Sequence, residues 1–587
     1  MNQLFKLFRY AKPYRWQFFL AILFVVVETG FELFIPMIMA DIIDVGLQTG
    51  DVAYIARQGV IMAVMALVSL VSGLLYARYA AIAANGFGGA LRHAEFEKIQ
   101  QFSFLNIDHF ETSSLITRMT NDVTVIQDAI ATGLRPIVRG PSMLILGLFF
   151  SFTINTELAM TFVVATPILG IILLFIVRKV APMYKKLQEA IDDLNIIVEE
   201  NLQAIRVVKA FVREDYEGMK FDTVNVRQKD VAVNTFKYAV LNMPAFQLVM
   251  YGTIVMILFF GGNLIFAGEM QVGELTGFLS YVLQIMNSLM MISNVFLMVT
   301  RSLASAYRID EVFEEKLDLY DGTYGGEVED GSIDFKHVSF KYAKTAKENV
   351  LSDVDIHIHS GETIGIIGAT GSAKSSLVQL IPRLYDATAG EVKVGGRNVK
   401  DYHLETLRDA VAIVLQKNVL FSGTVKENLL WGNESATDEE IENACHTAAV
   451  DEFIDTFPDG YETYLDEGGV NVSGGQKQRL CIARALLKHP KIIIFDDSTS
   501  AVDTATEARI RDGLAKLSNL TKIIIAQRIT SIMHADRIYI IDDGRVVESG
   551  THDELLANSA IYQDLYESQM KGGEEDATRS NRIRQTA

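Results

Sequence analysis

Residues 363–376, TIGIIGATGSAKSS, have the composition of a phosphate-binding loop. An apolar strand leads into small residues, and a Lys-Ser pair then opens a predicted helix. Backbone N–H groups in such a loop bind phosphate oxygens. Lys374 is then placed to contact the β- and γ-phosphates of a nucleotide, and the Ser375 hydroxyl to ligate Mg²⁺. The predicted phosphate site comprises Gly368, Ala369, Thr370, Gly371, Ser372, Ala373, Lys374, Ser375 and Ser376.

One residue of this loop departs from the usual pattern. Ala373 stands immediately before the lysine, where the motif has glycine. A methyl group there crowds the backbone if the position needs a positive φ, because L side chains rarely adopt that conformation. Small-residue loops between a strand and a helix also have other uses, so this loop alone does not decide the function.

Two further segments follow the loop in a fixed order. VSGGQKQRL occupies residues 472–480, and KIIIFDDSTS occupies residues 491–500. The second is a run of consecutive apolar residues that ends in Asp496, as expected of a buried strand. A carboxylate at such a strand end is placed to hold the water shell of Mg²⁺ beside bound phosphates. The order and spacing of the three segments together indicate one family.

The second half of the chain resembles the ATP-binding cassette (ABC) family, and residues 1–570 as a whole resemble a half-size exporter of that family. The resemblance implies ATP and Mg²⁺ as ligands. It also implies two cassettes that bind two ATP molecules between them, head to tail. Each site then takes its phosphate loop from one subunit and its SGGQ signature from the other.

The resemblance assigns further roles by position. Tyr342 matches the aromatic residue that stacks on adenine, with an ordinary strand aromatic as the alternative. Gln416 matches the glutamine that contacts Mg²⁺ and the membrane domain, and Asp503 matches the aspartate that crosses the dimer interface. Glu467 matches a residue that contacts the helices of the membrane domain. The residues that match the signature, which caps the γ-phosphate of ATP held by the other subunit, are Ser473, Gly474, Gly475 and Gln476.

Two catalytic positions depart from those of an active hydrolase of the family. Asp497 replaces the glutamate that orients or deprotonates the attacking water. Its carboxylate is set back by roughly one ångström, and a displacement of that size costs about 100-fold in rate. Gln527 replaces the switch histidine, and a neutral amide lacks the acid–base chemistry of imidazole. We therefore predict slow or absent hydrolysis at this site, with a slow but working base at Asp497 as the alternative.

An impaired hydrolytic centre beside an intact signature predicts a heterodimer. In it this subunit retains ATP, and its signature completes a fast site on a second ABC half-transporter. Closure on ATP then turns the transport cavity outward. The predicted activity is export of lipophilic, multidrug-type compounds. The alternatives are a homodimeric lipid or peptide exporter and an ATP-gated regulator that transports nothing.

Six apolar stretches are long enough to span a bilayer, which takes roughly 20 helical residues. They lie at 16–40, 59–77, 140–154, 159–177, 241–266 and 273–299. The first is preceded by Lys6, Arg9, Lys12 and Arg15, whereas the loops of the opposite side carry only Arg57. This bias predicts a multi-pass protein of the cell (plasma) membrane, in contact with lipid, with both termini in the cytoplasm.

The predicted fold is an α-helical membrane domain of six spans with long cytoplasmic extensions, fused to an α/β P-loop cassette domain. The extensions are predicted to turn near Phe104–Phe110 and near residues 211–216. The predicted domains are an N-terminal elbow helix at 1–15, the membrane domain at 16–320, the cassette at 321–570 and a disordered charged tail at 571–587.

Polar and sulfur-containing side chains within the spans are the candidates for substrate contact. Glu28 and Glu32 lie one turn apart on the first span, so both can face one side. They are predicted to contact cationic substrates or, alternatively, to face water. Met286 and Met290 on the sixth span are predicted to line an adaptable cavity, with ordinary packing as the alternative.

The charge distribution excludes one class of partner. The chain has a formal net charge of −19, most of it carried by the second half. Nucleic-acid binding needs clustered Lys and Arg, so no nucleic-acid partner is expected. The two cysteines, Cys445 and Cys481, have no metal-ligand spacing and are predicted to be reduced.

Overall fold

The computed structural model describes residues 2–343, 346–497 and 502–569, except for the side chains of residues 2, 294 and 296–301. The predicted tail lies outside the described residues. The chain divides into two compact units. The membrane unit comprises the residues up to Gln100 together with Glu111–Glu315. The cassette unit comprises Gln101–Phe110 and the described residues from Lys316 onward. The division therefore falls before the predicted boundary at 320, and a segment from the first half of the chain joins the second unit.

The membrane unit consists of helices and short connections in its described part. Its α-helices are α1 (Asn2–Leu7), α2 (Arg15–Asp41), α3 (Val52–Gln100), α5 (Thr112–Thr117), α6 (Val123–Ile154), α7 (Thr156–Gln203), α8 (Ile205–Ala210), α9 (Glu214–Ala239), α10 (Asn242–Ala267) and α11 (Val272–Glu314); the intervening helix α4 (Phe104–Phe110) belongs to the cassette unit. A 3₁₀ segment at Phe8–Tyr14 follows α1, so the predicted elbow is only partly α-helical. Two π segments lie at Ile42–Leu47 and Arg118–Asp122.

Six of the described helical stretches are long and apolar enough to cross a membrane, as predicted. The helix α3 has 49 residues and is therefore about 73 Å long, more than twice the roughly 30 Å hydrocarbon core. Helices thus continue beyond the bilayer, and the first extension ends at the separate helix α4. The second extension turns between α8 and α9.

The third span begins earlier than predicted. Helix α6 starts at Val123 rather than at residue 140 and contains Pro136 and Pro141. The sequence analysis counted only its apolar second half. The break between the third and fourth spans occurs as predicted, at Asn155, whose backbone is extended and whose side chain accepts a hydrogen bond from the Leu158 N–H at 3.0 Å. This N-cap begins α7.

The described residues of the cassette unit form a six-stranded, mostly parallel sheet, a four-stranded antiparallel sheet and a two-stranded antiparallel sheet. Its strands are β1 (Ile333–Phe340), β2 (Leu351–Ile358), β3 (Thr363–Ile367), β4 (Ala389–Val394), β5 (Arg397–Asn398), β6 (Val411–Val414), β7 (Gly423–Thr424), β8 (Tyr464–Leu465), β9 (Ile492–Asp496), β10 (Thr521–Ile525), β11 (Arg537–Asp542) and β12 (Arg545–Gly550). Its helices after α4 are α12 (Lys374–Gln379), α13 (Leu404–Ala410), α14 (Val425–Leu430), α15 (Asp438–Thr447), α16 (Asp451–Ile454), α17 (Gly474–Leu487), α18 (Thr504–Ala515) and α19 (His552–Asn558).

The order of strands in the larger sheet explains where the site forms. It runs β12-β11-β3-β10-β9-β6, and all pairs except β11–β12 are parallel. Every residue of β9 is buried, which agrees with the run of apolar residues that precedes Asp496. Because β3, β10 and β9 are neighbours, the loops at their carboxyl ends meet at one edge. The phosphate loop follows β3, Gln527 follows β10 and Asp497 follows β9.

Candidate nucleotide site

The phosphate loop folds around its own lysine. Nζ of Lys374 donates hydrogen bonds to the carbonyl oxygens of Gly368 at 2.9 Å and Ala369 at 2.7 Å. Burial lowers the pKa of Lys374, against the opposing effect of the carboxylates of Asp497 and Asp496. The ammonium group is thus held over the loop that is predicted to receive the phosphates.

Ala373 has the backbone conformation that makes its methyl group unfavourable. Its φ is 73° and its ψ is 21°, in the left-handed region. An L residue there costs roughly 1–2 kcal/mol, because Cβ approaches the following carbonyl oxygen. The position therefore has the positive φ that the sequence analysis considered, and the alanine carries strain that the usual glycine would avoid.

Ser375 and Asp496 meet as a pair of oxygen donors suited to Mg²⁺. The Ser375 hydroxyl donates to Oδ1 of Asp496 at 2.8 Å. Asp496 is buried at the end of β9, and burial raises the pKa of its carboxyl group. A hydroxyl and a carboxylate beside the phosphate loop are hard ligands, which fit this metal. These two residues would hold the ion, which supplies charge neutralisation to the phosphates when bound.

The two positions that depart from the family pattern are in direct contact. Oδ2 of Asp497 accepts a hydrogen bond from Nε2 of Gln527 at 2.6 Å. Nε2 of Gln416 lies 3.4 Å from the same oxygen. The parallel register of β9 and β10, which pairs Asp496 with Ile525, brings these side chains together. We call Asp497, Gln527 and Gln416 the amide–carboxylate cluster. In it the carboxylate is oriented by two amides.

Tyr342 lies next to the phosphate loop. Its hydroxyl is 2.7 Å from Oγ of Ser376, and its side chain is exposed. Its ring packs edge-on against Phe340 and Tyr385, at centroid distances of 4.8 and 5.2 Å. The hydroxyl of Tyr385 donates to Asp108 of α4 at 2.9 Å. The predicted adenine platform is thus connected through one tyrosine to α4, a contact that the sequence analysis missed.

The SGGQ segment forms the start of α17. Ser473 is the N-cap: its hydroxyl accepts from the Gln476 N–H at 3.3 Å, and the Gln476 side chain accepts from the Ser473 N–H at 2.9 Å. Ser473 and Gly474 are exposed. Within the described part of the chain, no hydrogen bond joins this segment to the phosphate loop. The structure does not bring these two predicted parts of a nucleotide site together in one chain.

Asp503 caps α18. Its carboxylate accepts from the backbone N–H groups of Ala505 at 3.1 Å and Thr506 at 3.0 Å. The Thr506 hydrogen bonds lower the pKa of Asp503. Asp503 and Glu467 are both exposed, and their predicted contacts with other domains remain predictions.

Glu28 and Glu32 are paired with arginines of the same chain. Arg139 donates to Glu28 at 2.8 Å and to Glu32 at 2.6 Å, and Arg135 also contacts Glu28. The sequence analysis missed the two arginines because it began the third span after them. Their four-residue spacing matches that of the two glutamates, and this was the available signal. Both glutamates are therefore already neutralised within the membrane unit.

The two methionines differ in environment. Met286 is fully buried among Phe278, Tyr281 and Ile285 in the interior of the membrane unit. Met290 is partly buried, with its sulfur 3.5 Å from the amide nitrogen of Asn242. Met286 thus has a packing environment, which was the alternative to a cavity-lining role.

Comparisons with known proteins agree with this architecture. The model of the ABC transporter transmembrane region matches residues 18–289, and that of the ABC transporter family matches residues 351–500. The uncharacterized ABC transporter ATP-binding protein YfiB of Bacillus subtilis is 39% identical over 565 residues, which cover 96% of this chain and 98% of YfiB. YgaD of the same species, named as a candidate multidrug export ATP-binding/permease protein, is 31% identical and covers 95% of this chain and 98% of its own length.

A solved structure supports the fold independently. The structure of a bacterial Atm1-family ABC exporter with ATP bound aligns with a TM-score of 0.79. The alignment covers 94% of this chain and 98% of the other at 23% identity. The similarity therefore extends over both units.

Proposed function

Since the chain belongs to the ABC transporter family, with a membrane-spanning part and an ATP-binding part in one polypeptide, we propose that it is the slow-hydrolysing subunit of a heterodimeric exporter of lipophilic compounds. Its own site retains ATP and Mg²⁺. Its SGGQ segment completes a fast site on a second half-transporter. Both termini face the cytoplasm, because the basic residues before α2 favour that side.

The amide–carboxylate cluster carries this proposal. A hydrolytic site needs a carboxylate within reach of the attacking water and a switch residue directed at the γ-phosphate. In this chain the carboxylate of Asp497 accepts from Gln527 at 2.6 Å instead. Neither amide can take a proton from water at neutral pH. The cluster thus favours a site that binds ATP and hydrolyses it slowly.

The multidrug class of substrate is supported by the name of one relative and by one feature of the membrane unit. YgaD carries the name of a multidrug exporter, and the pairing of Glu28 and Glu32 with arginines leaves a membrane unit without excess charge at that point. A compensated interior suits lipophilic substrates better than ionic ones.

The test is restoration of the family residues. We expect Asp497→Glu with Gln527→His to raise ATP turnover at this chain's own site by about 100-fold. The measurement is steady-state ATPase activity of the full chain, purified alone and together with the half-transporter that copurifies with it from native membranes.

A matched variant separates the remaining alternatives. Asp497→Asn keeps the size of the side chain and removes its charge. If Asp497 is a slow base, this variant abolishes the residual turnover; if it is not, turnover is unchanged. Fast hydrolysis by the unmodified chain purified alone would contradict the proposal and favour a homodimer.

A further inference from the structure

An apolar groove with a volume of about 510 Å³ lies in the membrane unit. One wall is formed by the N-terminal segment through Leu4 and Phe8, and a second by the start of α2 through Phe18 and Ile22. The third wall is the middle of α6, with Leu134 and Ile137. Ile137 is exposed, so the groove opens on the outer surface of the unit.

Two cations, Lys12 and Arg15, are the charged residues of its lining. Lys12 lies in the 3₁₀ segment and Arg15 is the first residue of α2, and both line the groove. Both side chains are exposed, and neither has a carboxylate partner among the described residues. The neighbouring Lys6 differs, since it pairs with Asp310 at 3.4 Å and with Glu314. The groove therefore carries two positive charges that the described chain does not neutralise.

The position of Trp16 indicates the depth of these groups in the bilayer. Its side chain is 63% exposed at the start of α2. Exposed tryptophans on membrane proteins concentrate at the level of the lipid headgroups. Lys12 and Arg15 then lie at headgroup level. Ile22 is six residues further along α2, about 9 Å deeper, at the level of the acyl chains.

We propose that this groove binds an anionic phospholipid of the surrounding bilayer. The phosphate contacts Lys12 and Arg15, and one acyl chain lies along Phe18, Ile22 and α6. The charge complementarity selects the headgroup: basic pockets at the cytoplasmic side of membrane proteins bind anionic lipids, whereas a zwitterionic headgroup has no net charge to offer them. The bound lipid bridges the N-terminal segment and α6. Only the assignment to the inner leaflet rests on the proposed orientation.

The intrinsic tryptophan provides the test. The chain has two tryptophans, so Trp431→Phe leaves Trp16 as the sole reporter beside the site. The full-length protein is reconstituted in phosphatidylcholine vesicles that contain a low fraction of brominated phosphatidylglycerol or brominated phosphatidylcholine. We expect phosphatidylglycerol to quench Trp16 with an apparent association about 5- to 30-fold stronger.

Three variants locate the selectivity. Lys12→Gln with Arg15→Gln removes the preference for phosphatidylglycerol, whereas Lys12→Arg with Arg15→Lys retains it. Ala129→Phe fills the groove from α6 and weakens quenching while the charges stay in place. Equal quenching by both lipids in the unmodified protein overturns the proposal. So does displacement of the quenching by a neutral lipophilic drug with no dependence on the charges, which identifies a substrate entrance instead.

The readout is independent of hydrolysis and export. Selective quenching in a protein that proves to be a fast homodimeric ATPase supports the lipid site and contradicts only the proposed function. Absence of selective quenching in a protein that proves to be an active heterodimer contradicts the lipid site and leaves the proposed function in place.

Discussion

Ala373 combines an L side chain with a left-handed backbone at the point where the phosphate loop meets α12. The strain is local, since the residues on either side are those expected of a phosphate loop. Removal of the Ala373 methyl group, by substitution with glycine, would relieve this strain. The carbonyl of Ala373 also accepts the first hydrogen bond of α12, from the Leu377 N–H at 3.1 Å, so the strained residue is fixed in place.

We therefore expect Ala373→Gly to stabilise the nucleotide-free protein by about 1 kcal/mol. The midpoint of thermal unfolding of the cassette then rises by about 2–4 °C. Ala369→Gly is the matched control, since Ala369 lies in the same loop and is absent from the residues with positive φ. We expect no gain in stability from this control variant. A decrease for Ala373→Gly would show that the lost packing outweighs the relieved strain.

At the scale of residues, the sequence showed which residues belong to the candidate site, but several of their contacts were not predictable. Asp497 and Gln527 stand out in the sequence because each differs from the family pattern. Their hydrogen bond depends on the register of β9 against β10, which local patterns do not determine. Arg135 and Arg139 could have been found from their spacing, once the third span was extended past its apolar half.

At the scale of elements, α4 is the informative helix. It comes from the first half of the chain but packs within the cassette unit. Asn106 donates to the Lys316 carbonyl at 3.0 Å, Ser103 contacts Asp318, and Phe104 lies 6.0 Å from the ring of Tyr385. The sequence predicted a turn at these residues. It did not predict which unit they join, because that depends on contacts across more than 200 residues.

The hydroxyl of Tyr385 is expected to hold α4 in place. Burial, together with Asp108, raises the pKa of Tyr385, so the hydroxyl stays protonated and donates a hydrogen bond to the carboxylate of Asp108. A hydrogen bond to a charged group contributes about 1.5–3 kcal/mol. We expect Tyr385→Phe to speed amide hydrogen exchange in 104–110 by about 10- to 100-fold.

Tyr402→Phe is the control for this measurement. Its hydroxyl donates to the Val394 carbonyl at 2.9 Å, elsewhere in the cassette unit. Exchange in 104–110 should not respond to it. Unchanged exchange in Tyr385→Phe would assign the docking of α4 to its apolar residues alone.

At the scale of the whole molecule, the exposed start of α17 is not hydrogen-bonded to the phosphate loop within the described part of the chain. Ser473 caps α17 and, together with Gly474, forms an exposed face at the start of this helix. In the proposed dimer this face meets the ATP of the other subunit. The capping role and the proposed phosphate role therefore need to be separated.

Ser473→Ala is expected to lower the ATPase activity of the assembled transporter by about 100-fold. Thr437→Ala removes a cap of the same type from α15, where Thr437 and Glu440 form a capping box. It should cost only about 0.5–2 kcal/mol of stability and little activity. If both variants have the same mild effect, Ser473 acts as a cap only.

The membership of α4 in the cassette unit has a practical consequence for dissecting the protein. A cassette expressed from residue 316 onward lacks this helix. The part of the cassette core that packs against Leu105 then becomes exposed to water, as does the ring of Tyr385. The carboxylate of Asp108, which accepts a hydrogen bond from Tyr385, is lost. Such a fragment has an uncovered apolar surface, which promotes self-association. An isolated cassette with native surfaces requires residues 101–110, supplied in the same polypeptide or as a peptide.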